Sequence, residues 1–356
     1  MLDLSFVIDT LGDFKTAALG GLVIGLVFGA AAQQSRFCLR SSSIELWQGR
    51  LGGALGVWML AFFAALLGTQ WLRVSGVLDI SSVRQLTTTG TLSGALIGGI
   101  VFGVGMALAR GCAGRLLVLS ATGNLRALVA GLVLTVVAQA SLRGILSPLR
   151  LELASLQIMS TDWRASLMTL PDWLILGMAL AGLTLAVAIA FHAGLRPLAW
   201  VCALTVGLAI VAGWAFTSLL ATQSFEVIPV KSFSFSGPSA DTLMALINNP
   251  ELTYSFDIGL VPGVFAGSFL AAFATGEFRI EGFEAGVGLP RYLIGAALMG
   301  FGSMLAGGCS VGAGMTGCSV LALTALIALA SMAVAAGLTD RLLNRRGQVR
   351  PSAHDV

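Results

Sequence analysis

The sequence predicts an all-α polytopic membrane protein, with about nine transmembrane helices plus short re-entrant helices arranged as two pseudo-symmetric repeats. Three observations predict it. Of 356 residues, 56% are hydrophobic and only 10% charged, and the mean hydropathy is +0.91. Uncharged stretches cover 16–35, 51–72, 91–109, 127–142, 173–191, 197–225, 258–276 and 292–339. Finally, a 17-residue phrase occurs twice, LIGGIVFGVGMALARGC at 96–112 and LIGAALMGFGSMLAGGC at 293–309, with nine positions identical in register.

A spanning helix needs about 20 apolar residues, and a charge at its centre costs roughly 2.5–3.5 kcal/mol, so each uncharged stretch marks a span. The first, 17–35, follows Asp3, Asp9 and Asp13 with no basic segment ahead of it, and reads as a retained helix rather than a cleaved signal. Further spans follow at 51–72, 91–109, 125–142, 173–192, 197–219 and 257–275. The last uncharged stretch is 48 residues long and must fold back, which gives spans at 292–306 and 320–338. Segments 111–122 and 308–318 are then left as short re-entrant pieces, and the long loops fall at about 143–172 and 221–257. The whole chain, 1–356, reads as one transmembrane domain: a first repeat at about 17–142, connecting spans at about 173–220, and a second repeat at about 257–339.

Basic residues gather at Arg36, Arg40 and Arg50 after the first span and in RLLNRRGQVR near the C-terminus. By the positive-inside rule these are cytoplasmic and the acidic N-terminus lies outside, which an odd number of spans allows. The net charge of +3 is scattered over loops and tail and gives no nucleic-acid-binding surface.

Ahead of each copy of the repeated phrase stands a glycine set, Gly21-Gly25-Gly29 and Gly259-Gly263-Gly267. Four-residue spacing puts each set on one helix face, where backbones can approach closely; helix packing alone accounts for that. Combined with the repeated phrase, the two sets read as parts of a duplicated unit, and transporters built this way hold their sites at the repeat interface, on interrupted helices.

Five cysteines remain to be explained. Metal binding needs convergent ligands at short spacings; His192 and His354 are the only histidines and no CxxC exists, so neither metal nor cofactor is expected. A disulfide framework belongs to small secreted domains, although Cys309 and Cys318 could pair. Cys202, mid-span, reads as a small apolar filler, whereas Cys318, in the re-entrant region, reads either as filler or as a further substrate-binding thiol. Cys38, Cys112 and Cys309 differ, because each lies where a span ends. Gly111 and Gly308 flank the last two and permit unusual backbone and close ligand approach. A thiol buried in apolar surroundings stays neutral, and a neutral S–H is a weak donor. Weak donors in series suit a permeating anion, which must be bound tightly enough to enter and loosely enough to leave. Soft sulfur also favours a substrate with a terminal sulfur atom. The GAGMTG run at 312–317 matches GxGxxG but lacks the strand and βαβ context that give the fingerprint meaning.

At these residues the chain resembles the YeeE/YedE family of bacterial inner-membrane sulfur-compound transporters. The matching positions are Gln33 with Arg36-Phe37-Cys38, then Gly111-Cys112, then Gly307-Gly308-Cys309 followed by Gly312. The resemblance implies pseudo-symmetric halves narrowing to a constriction, with Cys38, Cys112 and Cys309 passing thiosulfate along through S–H···S contacts. It also implies a small cytoplasmic sulfur-carrier or sulfurtransferase partner; some relatives are linked to selenium metabolism. The chain departs from the family pattern at Arg110, where glycine is common. Arg110 and Arg115 read equally as an anion-attracting vestibule or as interface anchors. Gln33 reads either as a ligand to a substrate oxygen or as an interhelical bond. A membrane thiol-disulfide oxidoreductase is the competing class, and it needs two cysteines at bridging distance.

Overall fold

The computed structural model describes residues 5–79, 83, 86, 91–158, 170–224, 226–248, 254–282 and 288–345. His354, the tail beyond Arg345 and the middle of the 143–172 loop lie outside them. A short α1, Ser5–Leu11, precedes α2, Asp13–Gln34, which breaks at Cys38 and resumes as α3, Leu39–Trp47. After α4, Gly53–Val74, comes α5, Leu92–Leu108, which breaks at Cys112 and resumes as α6, Ala113–Ala121. Next are α7 (Leu125–Arg143), α8 (Ser147–Ser155), α9 (Asp172–His192), α10 (Pro197–Gln223), α11 (Ser236–Asn248) and α12 (Phe256–Ala274). Then α13, Leu289–Leu305, breaks at Cys309 and leads into a π-helical turn, Gly312–Gly317, before α14, Leu323–Arg345.

The nine expected spans are therefore present among the described residues as α2, α4, α5, α7, α9, α10, α12, α13 and α14. Eight segments, counting α2 with α3 and α5 with α6, are long and apolar enough to cross a membrane, and α13 is the shorter ninth. Both α5 and α13 have 17 residues. At 1.5 Å per residue each covers about 25 Å, less than the roughly 30 Å hydrocarbon core, so each ends below the surface.

Side-chain pairs fix which helix ends share a face. Arg40 in α3 pairs with Asp340 late in α14 at 3.4 Å, and Gln33 Nε2 donates to Glu277 Oε2, just beyond α12, at 2.9 Å. The ends of α2, α12 and α14 thus lie together. At the other face, Arg73 at the end of α4 pairs with Asp172 at the start of α9, and Ser93 at the start of α5 donates to Ala154 O of α8. Alternation along the nine helices then puts the start of α2 and the end of α14 on opposite faces.

The glycine sets serve packing. Gly21, Gly25 and Gly29 lie against Phe256, Leu260 and Val264, while Gly259, Gly263 and Gly267 lie against Ala18, Leu22 and Leu26. A Cβ at Gly25 would sit 2.6 Å from Leu260 O. Both helices ascend in register, so α2 and α12 run parallel and clasp each other. In contrast, Gly98 of α5 lies against Ala306, and Gly105 against Gly295, so α5 and α13 run antiparallel. One two-fold axis cannot relate both pairs, because antiparallel mates need an axis across the helices and parallel mates an axis along them.

Two segments expected to be loops carry structure. The 143–172 loop contains α8, and the 221–257 loop contains α11 preceded by a buried extended run. Within that run Ile228, Val230, Phe233 and Phe235 are buried. Its polar groups find partners: Ser232 Oγ donates to Ile210 O at 2.7 Å and Thr217 Oγ1 to Lys231 O at 2.7 Å. Irregular backbone is tolerated at this depth when protein surrounds it.

Candidate functional site

Three helix breaks share one local geometry. Each helix ends on a residue in the right-handed region, Ser35, Ala109 or Ala306. The next residue takes a positive φ: Arg36 at 51°, Arg110 at 53° and Gly307 at 81°. The following N–H then bonds back across the last turn, Phe37 N to Ala32 O at 3.1 Å, Gly111 N to Met106 O at 3.3 Å and Gly308 N to Ser303 O at 2.8 Å. This is the left-handed helix stop that glycine favours. The cysteine comes next and opens the following turn: Ser42 N bonds to Cys38 O, Leu116 N to Cys112 O and Ala313 N to Cys309 O. The repeated phrase exposed two of these stops; the third is written in different residues, Ser-Arg-Phe-Cys, and is the same structure.

The position that puzzles at Arg110 is explained by this alignment. Its counterpart Gly307 carries the residue the backbone prefers, whereas Arg36 and Arg110 hold a conformation that L side chains adopt at a cost of roughly 1–2 kcal/mol.

All five cysteines are free and buried, so Cys309 and Cys318 are not bridged. Cys38 is 5% exposed, Cys112 1% and Cys309 0%. The thiols of Cys38 and Cys112 lie beside each other. Each sulfur also lies beside the backbone of the third residue of the helix that follows it, Ser41 or Arg115, without closing a cap hydrogen bond. The thiols therefore sit at helix N-termini, where orphan N–H groups supply positive potential.

The third break arrives from the opposite face. Ser310, the residue after Cys309, lies beside the Cys112 thiol, and a Cβ on Gly114 would lie 3.7 Å from Val311. The first turn of α6 and the loop after Cys309 thus meet inside the bundle. Phe235 packs on this meeting point, 3.0 Å from where a Cβ on Gly114 would sit, and Phe28 lies 5.5 Å from Phe235, stacks on Phe233 at 4.5 Å and meets Phe37 edge-on at 6.4 Å. Such packing excludes water and strengthens any electrostatic contact beside it.

Arg115 stands at the centre of the polar groups. Its guanidinium is within electrostatic range of both thiols, of Arg36 and of Glu277, and its Nη1 donates to Gln33 Oε1 at 3.5 Å. Gln33 passes the contact on to Glu277. Hence Gln33 makes the interhelical bond, and through it orients Arg115. Arg110 faces another way, near Arg291. Gly111 and Gly308 are buried at their breaks, and a Cβ on Gly308 would meet Ala313 N at 2.7 Å. Gly312 takes Ser234 against its backbone, where a Cβ would sit 2.4 Å from Ser234 Oγ. Cys318 closes the far end of the π-helical turn. Its neighbour Ser319 accepts from Trp214 Nε1 and from Gln70 Nε2. Cys202 is buried within α10.

A cavity of about 400 Å³ opens on the face shared by the start of α5, the end of α13 and α8. Thr91, Arg150, Ser155 and Thr324 line it, as do Gly307 and Ala313, which bracket Cys309 in the sequence. Arg150 Nε is anchored on Ser141 O at 2.8 Å. Sequence reasoning missed Ser310, Glu277, Arg150 and the Phe233–Phe235 aromatics. Only the alternating KSFSFS run could have signalled one of them, as an inserted extended segment.

A family model described as sulphur transport matches residues 34–338. The chain is 28% identical over 327 residues to the thiosulfate transporter TsuA of Escherichia coli (strain K12), covering 83% of this chain and 86% of that one. It is 29% identical over 326 residues to the thiosulfate transporter TsuA of Spirochaeta thermophila, covering 86% of this chain and 93% of that one.

Proposed function

The chain belongs to the sulphur transport family, the YeeE/YedE proteins, and on that premise we propose that it carries thiosulfate, or a closely related inorganic sulfur anion, across the bacterial inner membrane. The observation that carries the reading is the contact between the Cys38 and Cys112 thiols, with the Cys309 loop reaching them from the opposite face. An anion entering the Arg150 vestibule reaches Gly307 and Ala313, which bracket Cys309 in the sequence. From there it moves past Cys112 and Cys38 toward Arg115 and Arg36. Neutral thiols hold it weakly at each step, so no site becomes a trap. The arginine-bearing face, with Arg36, Arg40, Arg50, Arg126, Arg196, Arg279 and Arg341, is cytoplasmic by the positive-inside rule. A small cytoplasmic sulfurtransferase is the natural acceptor there.

The architecture suits inverted repeats. We assign α2–α7 and α10–α14 as the two halves, with α9 outside them. This pairing makes α5 the mate of α13, α7 of α14, α2 of α10 and α4 of α12. It explains why α2 runs parallel to α12 while Gly207 of α10 packs on Ala61 and Gly68 of α4 on Val211, a second parallel pair.

The decisive experiment is uptake of thiosulfate by a strain that requires it, with Cys38→Ser, Cys112→Ser and Cys309→Ser compared with the parent. At least a tenfold loss in each is expected; undiminished uptake in all three ends the relay. The Cys38–Cys112 contact also suits disulfide exchange, the second reading. Non-reducing gels separate the two, since exchange requires an oxidised pair or a trapped mixed disulfide during turnover. Competition by selenium oxyanions tests the selenium alternative.

A further inference from the structure

Ser310 is 1% exposed, and its Oγ meets no oxygen or nitrogen at hydrogen-bonding distance among the described residues, only the Cys112 thiol beside it. That is anomalous within its own loop. Thr316 Oγ1 donates to Phe233 O at 2.7 Å and Ser319 Oγ to Thr316 O at 2.8 Å, so backbone acceptors are at hand for neighbouring hydroxyls. A buried hydroxyl whose one neighbour is a thiol, a weak acceptor, is poorly satisfied. The helix break does not demand it either: the residues that follow the other two cysteines are Leu39 and Ala113, both apolar. Ser310 instead lies beside the Cys112 thiol and directly follows Cys309.

Thiols and a hydroxyl offer different recognition. Sulfhydryls suit a soft terminal sulfur, whereas a hydroxyl donates best to a hard anionic oxygen, and hydrogen bonds to charged acceptors are about twice as strong as neutral ones. Thiosulfate carries both ends. Sulfate and sulfite lack the terminal sulfur, and hydrosulfide lacks the oxygens. We propose that Ser310 is a specificity-determining residue whose hydroxyl binds an oxygen of the permeating anion while the adjacent cysteines face its sulfur. This rests on the reading of the site as a thiosulfate pathway. The poorly satisfied hydroxyl then gains a strong acceptor in the substrate, and the asymmetry between the breaks gives the anion a preferred orientation.

The test uses the full chain in proteoliposomes with radiolabelled thiosulfate, comparing the parent, Cys112→Ser and Ser310→Ala, alongside unfolding midpoints in detergent. Ser310→Ala is expected to weaken apparent affinity for thiosulfate roughly tenfold, as loss of one hydrogen bond to a charged group requires. Its competition by hydrosulfide should sharpen in parallel, while its unfolding midpoint stays level or rises because a poorly satisfied hydroxyl has been removed. Unchanged affinity in Ser310→Ala, with Cys112→Ser inactive, overturns the role of Ser310 and leaves the pathway standing. A fall in midpoint that tracks the loss of uptake assigns Ser310 a packing role and overturns the inference as well. A parent protein that does not move thiosulfate overturns both.

Discussion

Arg36, Arg110 and Gly307 occupy one backbone position in three copies of a helix stop, and only one of them is the residue that position prefers. In the proposed pathway the guanidinium of Arg36, near Arg115, serves the anion, which gives a reason to hold arginine in a left-handed conformation there. Arg36→Gly and Arg110→Gly should each relieve about 1 kcal/mol of backbone strain, so a loss of uptake at undiminished thermal stability reports on the charge. Gly307→Ala, at a φ of 81°, should destabilise by about 1 kcal/mol; a thermal-shift assay in detergent reads both directions. The three cysteines could be picked from the sequence because glycine and a span boundary surround them. That Cys38 touches Cys112 could not, since residues 74 positions apart meet only through the packing of α2 against α12 and α6.

At the level of elements, the α2–α12 clasp depends on backbone contact with no side chain between. Gly25→Leu places a side chain where even a Cβ would lie 2.6 Å from Leu260 O. Separation of the helices should collapse the yield of monodisperse protein in size-exclusion chromatography. A milder lesion is Asn124→Ala. Asn124 Oδ1 accepts from Ala127 N at 2.9 Å to cap α7, and its Nδ2 donates to Glu281 Oε2 at 2.7 Å, which ties the α6–α7 turn to the strand of chain beyond α12. Losing the cap should cost about 1–2 kcal/mol and lower the unfolding midpoint without changing substrate preference. Helix existence was readable from uncharged runs, because desolvating a charge dominates every local preference. The glycine sets were readable as contact faces, but which helix each face meets is a property of the packed bundle.

For the molecule as a whole, the proposed pathway runs from the cavity beside Arg150 to the arginine-bearing face. Arg150, half-buried, is the cationic side chain of the cavity wall, and steering by one charge in an open cavity is screened by salt. Arg150→Ala should therefore raise the apparent KM several-fold at low ionic strength, and the difference should shrink at high salt; equal KM at both salts removes Arg150 from entry. The orientation is checked with reporters: a C-terminal green fluorescent fusion should glow, and an N-terminal alkaline phosphatase fusion should be active.

Some of this protein follows from its sequence alone. Length, apolar runs and the doubled Gly-Cys phrase determine a helical membrane protein whose helices stop at thiols, because the bilayer forbids exposed backbone polar groups and charges regardless of fold. Tertiary structure alone decides that the α2 and α12 glycine sets face each other in parallel, that an aromatic loop between α10 and α12 packs against the first turn of α6, and that the Ser310 hydroxyl has only the Cys112 thiol beside it. Those outcomes depend on contacts between residues distant in the chain, and no local preference of glycine, phenylalanine or serine encodes its partner.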